Sequence, residues 1–256
     1  MDRLAFNAVA NINEQRVARQ MTTNELANVS TPGFKRSFEA AMRPVQVEGP
    51  GFETRMQPRS ETTDNINLKP GTQMATGNEL DISLSAQAVM GVTASDGTLA
   101  FTRRGDLKLT STGTIENGAG HMVRGQGGGA ITVPPGFRVT INDDGSVYAT
   151  NPAQAGPPAP VLIDRILMRD ARQTALDRRM DGLFQVMGKP PGTDIAAVAG
   201  VPLPSLTSKV LEGSNVNALE VMVKLMEQSR SFEQQVNVIK QAKDADESGA
   251  SMMKPA

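Results

Sequence analysis

From Asn217 to Ile239 the chain repeats one pattern: Ala218, Met222, Leu225, Ser229, Phe232, Val236 and Ile239 recur at alternating intervals of four and three. Six of these seven residues are apolar, which predicts a helix that lays one stripe along a partner helix. The opening stretch, residues 1–28, contains neither Pro nor Gly and predicts a second helix. Phe6, Ala10, Val17 and Met21 fall on one stripe of it, and Leu4, Ala8, Ile12 and Leu26 fall on another. A split apolar face suits a helix with more than one neighbour, although a surface helix packed on its own domain has the same periodicity. Helical ends around a different middle favour a subunit that assembles over one that turns over a substrate.

Between the ends the composition changes twice. Asn28 to Gly33 closes the first helix, because Pro32 disfavours helical geometry at Thr31 and Gly33 permits a turn. Residues 34–75 carry Pro44, Gly49, Pro50, Gly51, Pro58, Pro70 and Gly71, which predicts an extended arm with at most short strands. Residues 76–190 read as β. Leu80, Ile82 and Leu84 alternate, as do Leu107 with Leu109 and Val139 with Ile141. Turn signals separate them at Arg104-Gly105-Asp106, Ser111-Thr112-Gly113, Pro134-Pro135-Gly136 and Asp143-Asp144-Gly145. Pro157-Pro158-Ala159-Pro160 interrupts the run, and strands resume around 161–168 and 183–187. Short strands at this spacing predict an antiparallel meander or a small barrel.

The fold class is therefore α+β. The expected segments are an N-terminal helix within 1–33, the arm over 34–75, the β domain over 76–190, a return linker over 191–213, a C-terminal helix over 214–243 and a flexible tail over 244–256. Asn217 stands three residues before Glu220, a start resembling a capping box. Each terminal helix alone is marginal in water, so both are expected to gain order only when several helices pack together.

Composition removes most chemistry. The 256 residues include 26 basic and 27 acidic ones, a formal charge of −1, so no basic surface calls for nucleic acid. Aromatics are 4% of the chain, with Tyr148 the single Tyr and no Trp, which leaves few anchors for a small-molecule pocket. No cysteine is present, excluding thiol catalysis, thiolate metal sites and disulfides. No apolar run approaches the roughly 20 residues of a membrane-spanning helix, and Met1–Ala10 is too short and too broken at Asn7 for a secretory signal.

Several local patterns have a structural explanation. His121, the one histidine, follows Gly118-Ala119-Gly120 in a predicted turn with no nucleophile or further metal ligand beside it. Gly125-Gln126-Gly127-Gly128-Gly129 lacks the Lys-Ser/Thr of a phosphate loop and reads as a hairpin tip. Asn142 to Ser146 has calcium-like composition but no bidentate Glu at the required distance, so a hairpin turn is the better reading. Asn28-Val29-Ser30 matches a glycosylation pattern at a helix end. No catalytic residue, cofactor site or metal site is singled out.

Taken together the motifs resemble the bacterial flagellar basal-body rod proteins. Asn24-Glu25-Leu26-Ala27-Asn28-Val29-Ser30-Thr31-Pro32-Gly33-Phe34-Lys35 looks like the family's N-terminal signature. Thr76-Gly77-Asn78-Glu79-Leu80-Asp81-Ile82 resembles the motif opening its β domain, and Phe101-Thr102-Arg103-Arg104-Gly105-Asp106-Leu107 with Gly113 and Gly120-His121 resembles the following hairpin region. Leu211-Glu212-Gly213-Ser214-Asn215-Val216-Asn217, with Glu220 and Met222-Val223, looks like the C-terminal signature. Where the family has a Gly-Asp-Gly-Phe-Phe-like stretch, this chain has Ser85 to Met90.

Within the family, the Met1-Asp2-Arg3 start, the length and Val133-Pro134-Pro135-Gly136 look most like the proximal-rod protein. The distal-rod protein is the alternative, and a non-flagellar oligomeric binding module with coiled-coil stalks is a further one. The resemblance implies a non-enzymatic subunit whose terminal helices pair as a coiled-coil layer inside an outer β domain. It also implies a place in the periplasmic drive shaft that transmits motor torque. The implied partners are the chain itself, the other proximal and distal rod subunits and, during secretion, the flagellar type III export apparatus. Export by that route needs no cleaved signal peptide. The implied assembly residues are Leu26, Asn28 and Phe34 at the N-terminal junction, Asn215 and Val216 in the C-terminal signature, and Met222, Leu225, Phe232, Val236 and Ile239 on the C-terminal seam.

Overall fold

A computed structural model describes residues 2–36, 41–46, 56–61, 65–153, 159–196 and 203–252. Gly49, Pro50 and Gly51 of the expected arm, Pro157-Pro158 and the last residues of the expected tail lie outside these. The fold is α+β, and the described residues form two compact units. One draws on 1–27, 39–63 and 217–256; the other on 28–38 and 64–216.

The first unit begins with α1 (Asp2–Ala27). Part of the predicted arm forms a short ribbon: β1 (Ala41–Gln46) pairs antiparallel with β2 (Met56–Glu61), Ala41 opposite Glu61 and Gln46 opposite Met56. Pro44 and Pro58 face one another in this ladder. Each strand of a two-stranded ribbon has one unpaired edge, and an edge strand is where Pro, which lacks an N–H, is tolerated.

In the second unit the strands run in order β3 (Gln73–Ala75), β4 (Ile82–Leu84), β5 (Ala88–Thr93), β6 (Leu99–Thr102), β7 (Leu107–Leu109) and β8 (Ile115–Asn117). Then follow β9 (Met122–Val123), β10 (Arg138–Ile141), β11 (Ser146–Thr150), β12 (Val161–Arg165) and β13 (Met168–Asp170). Last come β14 (Leu176–Arg178), β15 (Phe184–Val186), β16 (Leu206–Ser208) and β17 (Val210–Glu212). All named pairings are antiparallel. The largest sheet has the order β14-β15-β6-β5-β9-β8-β7, with β13 also paired to β5. A three-stranded sheet joins β10, β11 and β12, and two ribbons pair β16 with β4 and β17 with β3. The expected return linker over 191–213 thus contributes two strands that reach back to the start of the β region.

One apolar cluster fills the main core, from Ile82, Leu84 and Met90 through Ile115, Val123 and Val147 to Ile166 and Leu206. A smaller cluster gathers Ile66, Leu68, Val89, Phe101, Leu176, Phe184 and Ile195. Strand β10 shows the predicted alternation, with Val139 and Ile141 inside and Arg138 outside. Strands β4 and β5 are buried along their whole length or nearly so, as in a strand covered on both faces. The turn at Asn142–Ser146 joins β10 to β11: Asp144 accepts from the Ser146 backbone N–H at 3.1 Å and from its hydroxyl at 2.7 Å. His121 lies just past the β8–β9 turn, its backbone N–H held by Asn117 Oδ1 at 3.0 Å. The glycines after Arg124 make room for a carboxylate, since a Cβ on Gly125 would stand 1.8 Å from Asp164 Oδ2.

The second helix of the chain, α2, spans Ala218–Met252 and belongs to the first unit. Asn217 Oδ1 caps it, accepting from the backbone N–H groups of Leu219 at 3.0 Å and Glu220 at 3.4 Å. The helix runs past Lys243, where the sequence predicted fraying. Lys243 pairs with Glu247 one turn on at 3.4 Å, and the Ser248 hydroxyl donates to the Asp244 carbonyl at 2.8 Å. Charged residues spaced in this way extend an exposed helix without apolar contact.

Candidate functional site

Two features stand out, one in each unit. The first is a buried ionic node in the second unit. Glu212 ends β17 and is almost fully enclosed, as are Lys35 in the segment after Gly33 and Arg103 at the end of β6. Lys35 Nζ donates to Glu212 Oε1 at 2.6 Å, and Arg103 Nε donates to Glu212 Oε2 at 2.8 Å. One carboxylate therefore serves two cations.

The uncompensated positive charge is spread over backbone carbonyls. Arg103 Nη1 donates to the carbonyls of Ala86 and Ala88, and Nη2 donates to that of Leu84. Lys35 Nζ donates also to the Lys69 carbonyl at 3.0 Å, and Glu212 Oε1 accepts the Gly71 N–H at 3.0 Å. Buried charges are tolerated when paired and fully hydrogen-bonded in this way. Burial holds the Lys35 ammonium down to about 8, against an opposing pull from Glu212. Ala86, where the family pattern has its glycine-bearing stretch, adopts φ 42. This left-handed conformation costs a non-glycine residue about 1–2 kcal/mol, and the bond from Arg103 to its carbonyl helps hold it.

The backbone around the node is equally constrained. Gly33 N–H donates to the Glu212 carbonyl at 2.7 Å. Gly33 has φ +67, and a Cβ there would stand 2.3 Å from the Arg103 carbonyl oxygen, so only glycine fits. Asn215 ties three segments: its Oδ1 accepts the Arg36 N–H at 2.8 Å, and its Nδ2 donates to the Asn67 carbonyl at 2.8 Å. Phe34 is half-buried with the Arg178 guanidinium 4.3 Å above its ring centre. Asn28 accepts the Thr31 hydroxyl at 3.1 Å, and Val216 is buried. Asn28, Phe34, Asn215 and Val216 thus all lie in the second unit, with Phe34 and Asn215 bonded through their backbones at 3.3 Å.

The second feature is the helix pair of the first unit. Gln15 Nε2 donates to Ser231 Oγ at 2.6 Å, and Gln228 Nε2 donates to Thr22 Oγ1 at 3.1 Å, so α1 and α2 run antiparallel. The covered side of α2 passes through Val221, Leu225, Gln228, Ser231 and Gln235. Of the predicted seam, Ala218, Leu225, Ser229, Val236 and Ile239 are half-buried, but Met222 is 44% exposed and Phe232 42%. Leu219, Val223 and Met226 are exposed beside them. Leu26 is half-buried on α1. Polar side chains occupy much of this contact. The amide oxygens of Gln15, Gln228 and Gln235 are buried there without a hydrogen-bond partner.

The sequence reading missed Lys35, Arg103 and Glu212 as a unit, although each lies inside a motif it quoted. A charged residue embedded in each of three glycine-bearing motifs was the available signal. Among the described residues no group of three or more His, Cys, Asp or Glu side chains is placed to hold a metal.

Comparison with known proteins assigns the family. Residues 87–149 match the family described as flagellar hook protein FlgE/F/G D1 domain, and residues 207–252 match the flagellar basal body rod FlgEFG protein C-terminal family. The chain is 35% identical over 242 residues to the flagellar basal-body rod protein FlgF of Salmonella typhimurium, covering 93% of each. It is 34% identical over 248 residues to FlgF of Escherichia coli, covering 95% of each. Similarity to the flagellar basal-body rod protein FlgG of Bacillus subtilis is 25% over 260 residues, covering 93% of this chain and 94% of that one. The chain belongs to the flagellar basal-body rod protein family and is FlgF-like within it.

Proposed function

We propose that the chain is a structural subunit of the proximal rod, polymerising through its terminal helices into the shaft that crosses the periplasm and carries motor torque. It acts by packing and catalyses no reaction. The observation that supports this reading best is the outward apolar face of α2, where Leu219 is 73% exposed and Met222, Val223 and Met226 are exposed with it. A contiguous apolar face on a helix marks a surface that neighbouring chains cover. Here the neighbours are other copies and other rod subunits, whose helices complete a coiled-coil layer with α1 and α2. Contacts of this head-to-tail kind that do not close a ring generate a helical tube. Leu26, Leu225, Val236 and Ile239 contribute to the same layer, while Asn28, Phe34, Asn215 and Val216 hold the segments that flank the helices. The subunit reaches its place through the flagellar type III export apparatus, without a cleaved signal peptide.

The test is genetic and structural together. A strain carrying Met222→Asp and Met226→Asp in the chromosomal copy is expected to be non-motile while the purified variant keeps its β-sheet circular dichroism. Full motility would reject the assignment. Isolated basal bodies from a strain lacking the protein are expected to stop near the inner membrane; loss of the outer segment alone would move the subunit to the distal rod.

A further inference from the structure

The node joins residues far apart in sequence: Lys35 and Glu212 are 177 positions apart, and Arg103 and Glu212 are 109. The apolar core of the second unit draws its residues from 66–206 and uses no part of β17. Lys35 and Glu212 lie outside that stretch, whereas Arg103 lies within it, directly after the core residues Ala100 and Phe101. The node also gains nothing from partial assembly. With Glu212 absent, closing the segment around Lys35 and Arg103 buries two cations with no counter-charge, which burial in low dielectric opposes. Contacts that span such long loops carry the largest closure entropy and form late.

We infer that Glu212 is a closing latch: the second unit condenses its apolar core first, and insertion of β17 beside β3 then neutralises Lys35 and Arg103 together and locks the unit shut. The latch has a second consequence through the chain itself. Residues 28–36 follow α1 and residues 213–217 precede α2, and both segments are fastened at the node, by the Gly33 N–H on the Glu212 carbonyl and by Asn215 on Arg36. The anchorages of both helices are therefore completed in the same final step, after most of the chain has folded. This inference concerns the order of events within one chain and stands apart from what the chain assembles with.

Folding and unfolding kinetics of the full-length protein test it, read by pulsed hydrogen exchange at the amides of β5 and β6. A latch that closes after the rate-limiting step predicts that Glu212→Gln speeds unfolding about tenfold or more while folding changes by less than about twofold. Ile82→Val, in the core, is expected instead to slow folding measurably. Should Glu212→Gln fail to fold, Glu212→Asp keeps the charge, shortens the reach and is read in the same way. Folding slowed in proportion to the lost stability, by either Glu212 variant, would place the node in the folding nucleus and overturn the latch. An unfolding rate unchanged by both would overturn it as well.

Discussion

The ionic node and the helix pair both bury polar side chains, but they treat them differently. At the node every charged atom has a partner: Glu212 takes two cations and a backbone N–H, and Arg103 reaches three carbonyls besides its carboxylate. Between α1 and α2, three glutamine oxygens have no partner while Leu219, Met222, Val223 and Met226 face outward. A region satisfied by its own chain resists change, and a region that hides amides and shows apolar side chains has its better contacts elsewhere. The difference sets a node satisfied by its own chain against a helix pair that leaves an apolar face uncovered.

The most damaging single change is expected at the node. Glu212→Ala leaves Lys35 and Arg103 buried without their counter-charge, so it is expected to destabilise the protein by about 3–5 kcal/mol in denaturant titrations. A loss below about 1 kcal/mol would mean that water reaches the node. Gly33→Ala comes next, at about 1–3 kcal/mol, because φ +67 and the Arg103 carbonyl both oppose a Cβ.

The node also gives the stability a defined pH dependence. Lys35 titrates at about 8 when folded and near 10.4 when unfolded. Above about pH 8 the unfolded chain therefore holds more protons than the folded one, so the Lys35 contribution to stability rises from pH 8 toward 10.5. Below pH 8 the full cost of burying the ammonium is present. Lys35→Met is expected to flatten this part of the profile, and an unchanged slope would assign it to another group.

The helix pair should respond in the opposite sense and more weakly. Gln235→Leu removes an orphaned acceptor and is expected to leave the isolated protein unchanged or more stable by about 1 kcal/mol. Met222→Ser, on the outward face, is expected to alter the isolated chain by less than about 0.5 kcal/mol while weakening incorporation into basal bodies. If Met222→Ser unfolds the free protein, the outward face is covered within one chain and the contrast between the units collapses.

Much of this architecture was legible because it is local. Asp143-Asp144-Gly145 turns β10 into β11 through its own side-chain bonds, and Val139 with Ile141 announces a half-buried strand by period two. Asn217 marks the start of α2 by capping it. The node was not legible, since no periodicity connects Lys35, Arg103 and Glu212 across separations of 109 and 177 residues. The polar part of the helix contact was not legible either, for a different reason. A seam inferred from apolar spacing predicts a partner helix without saying which chain supplies it. Here glutamine, serine and threonine fill much of the intrachain contact, and Met222 and Phe232 remain exposed. The polar stretch after Lys243 predicts a flexible tail, yet spaced charges suffice to continue an exposed helix there.

The most direct measurement is native-state hydrogen exchange on dilute monomer and on the same protein within isolated basal bodies. The amides of β4 to β6 are expected to be protected equally in both, whereas those of α1 and α2 exchange fast in the monomer and slow markedly on assembly. Helices as well protected in dilute monomer as in the basal body, at every concentration tried, would contradict the account.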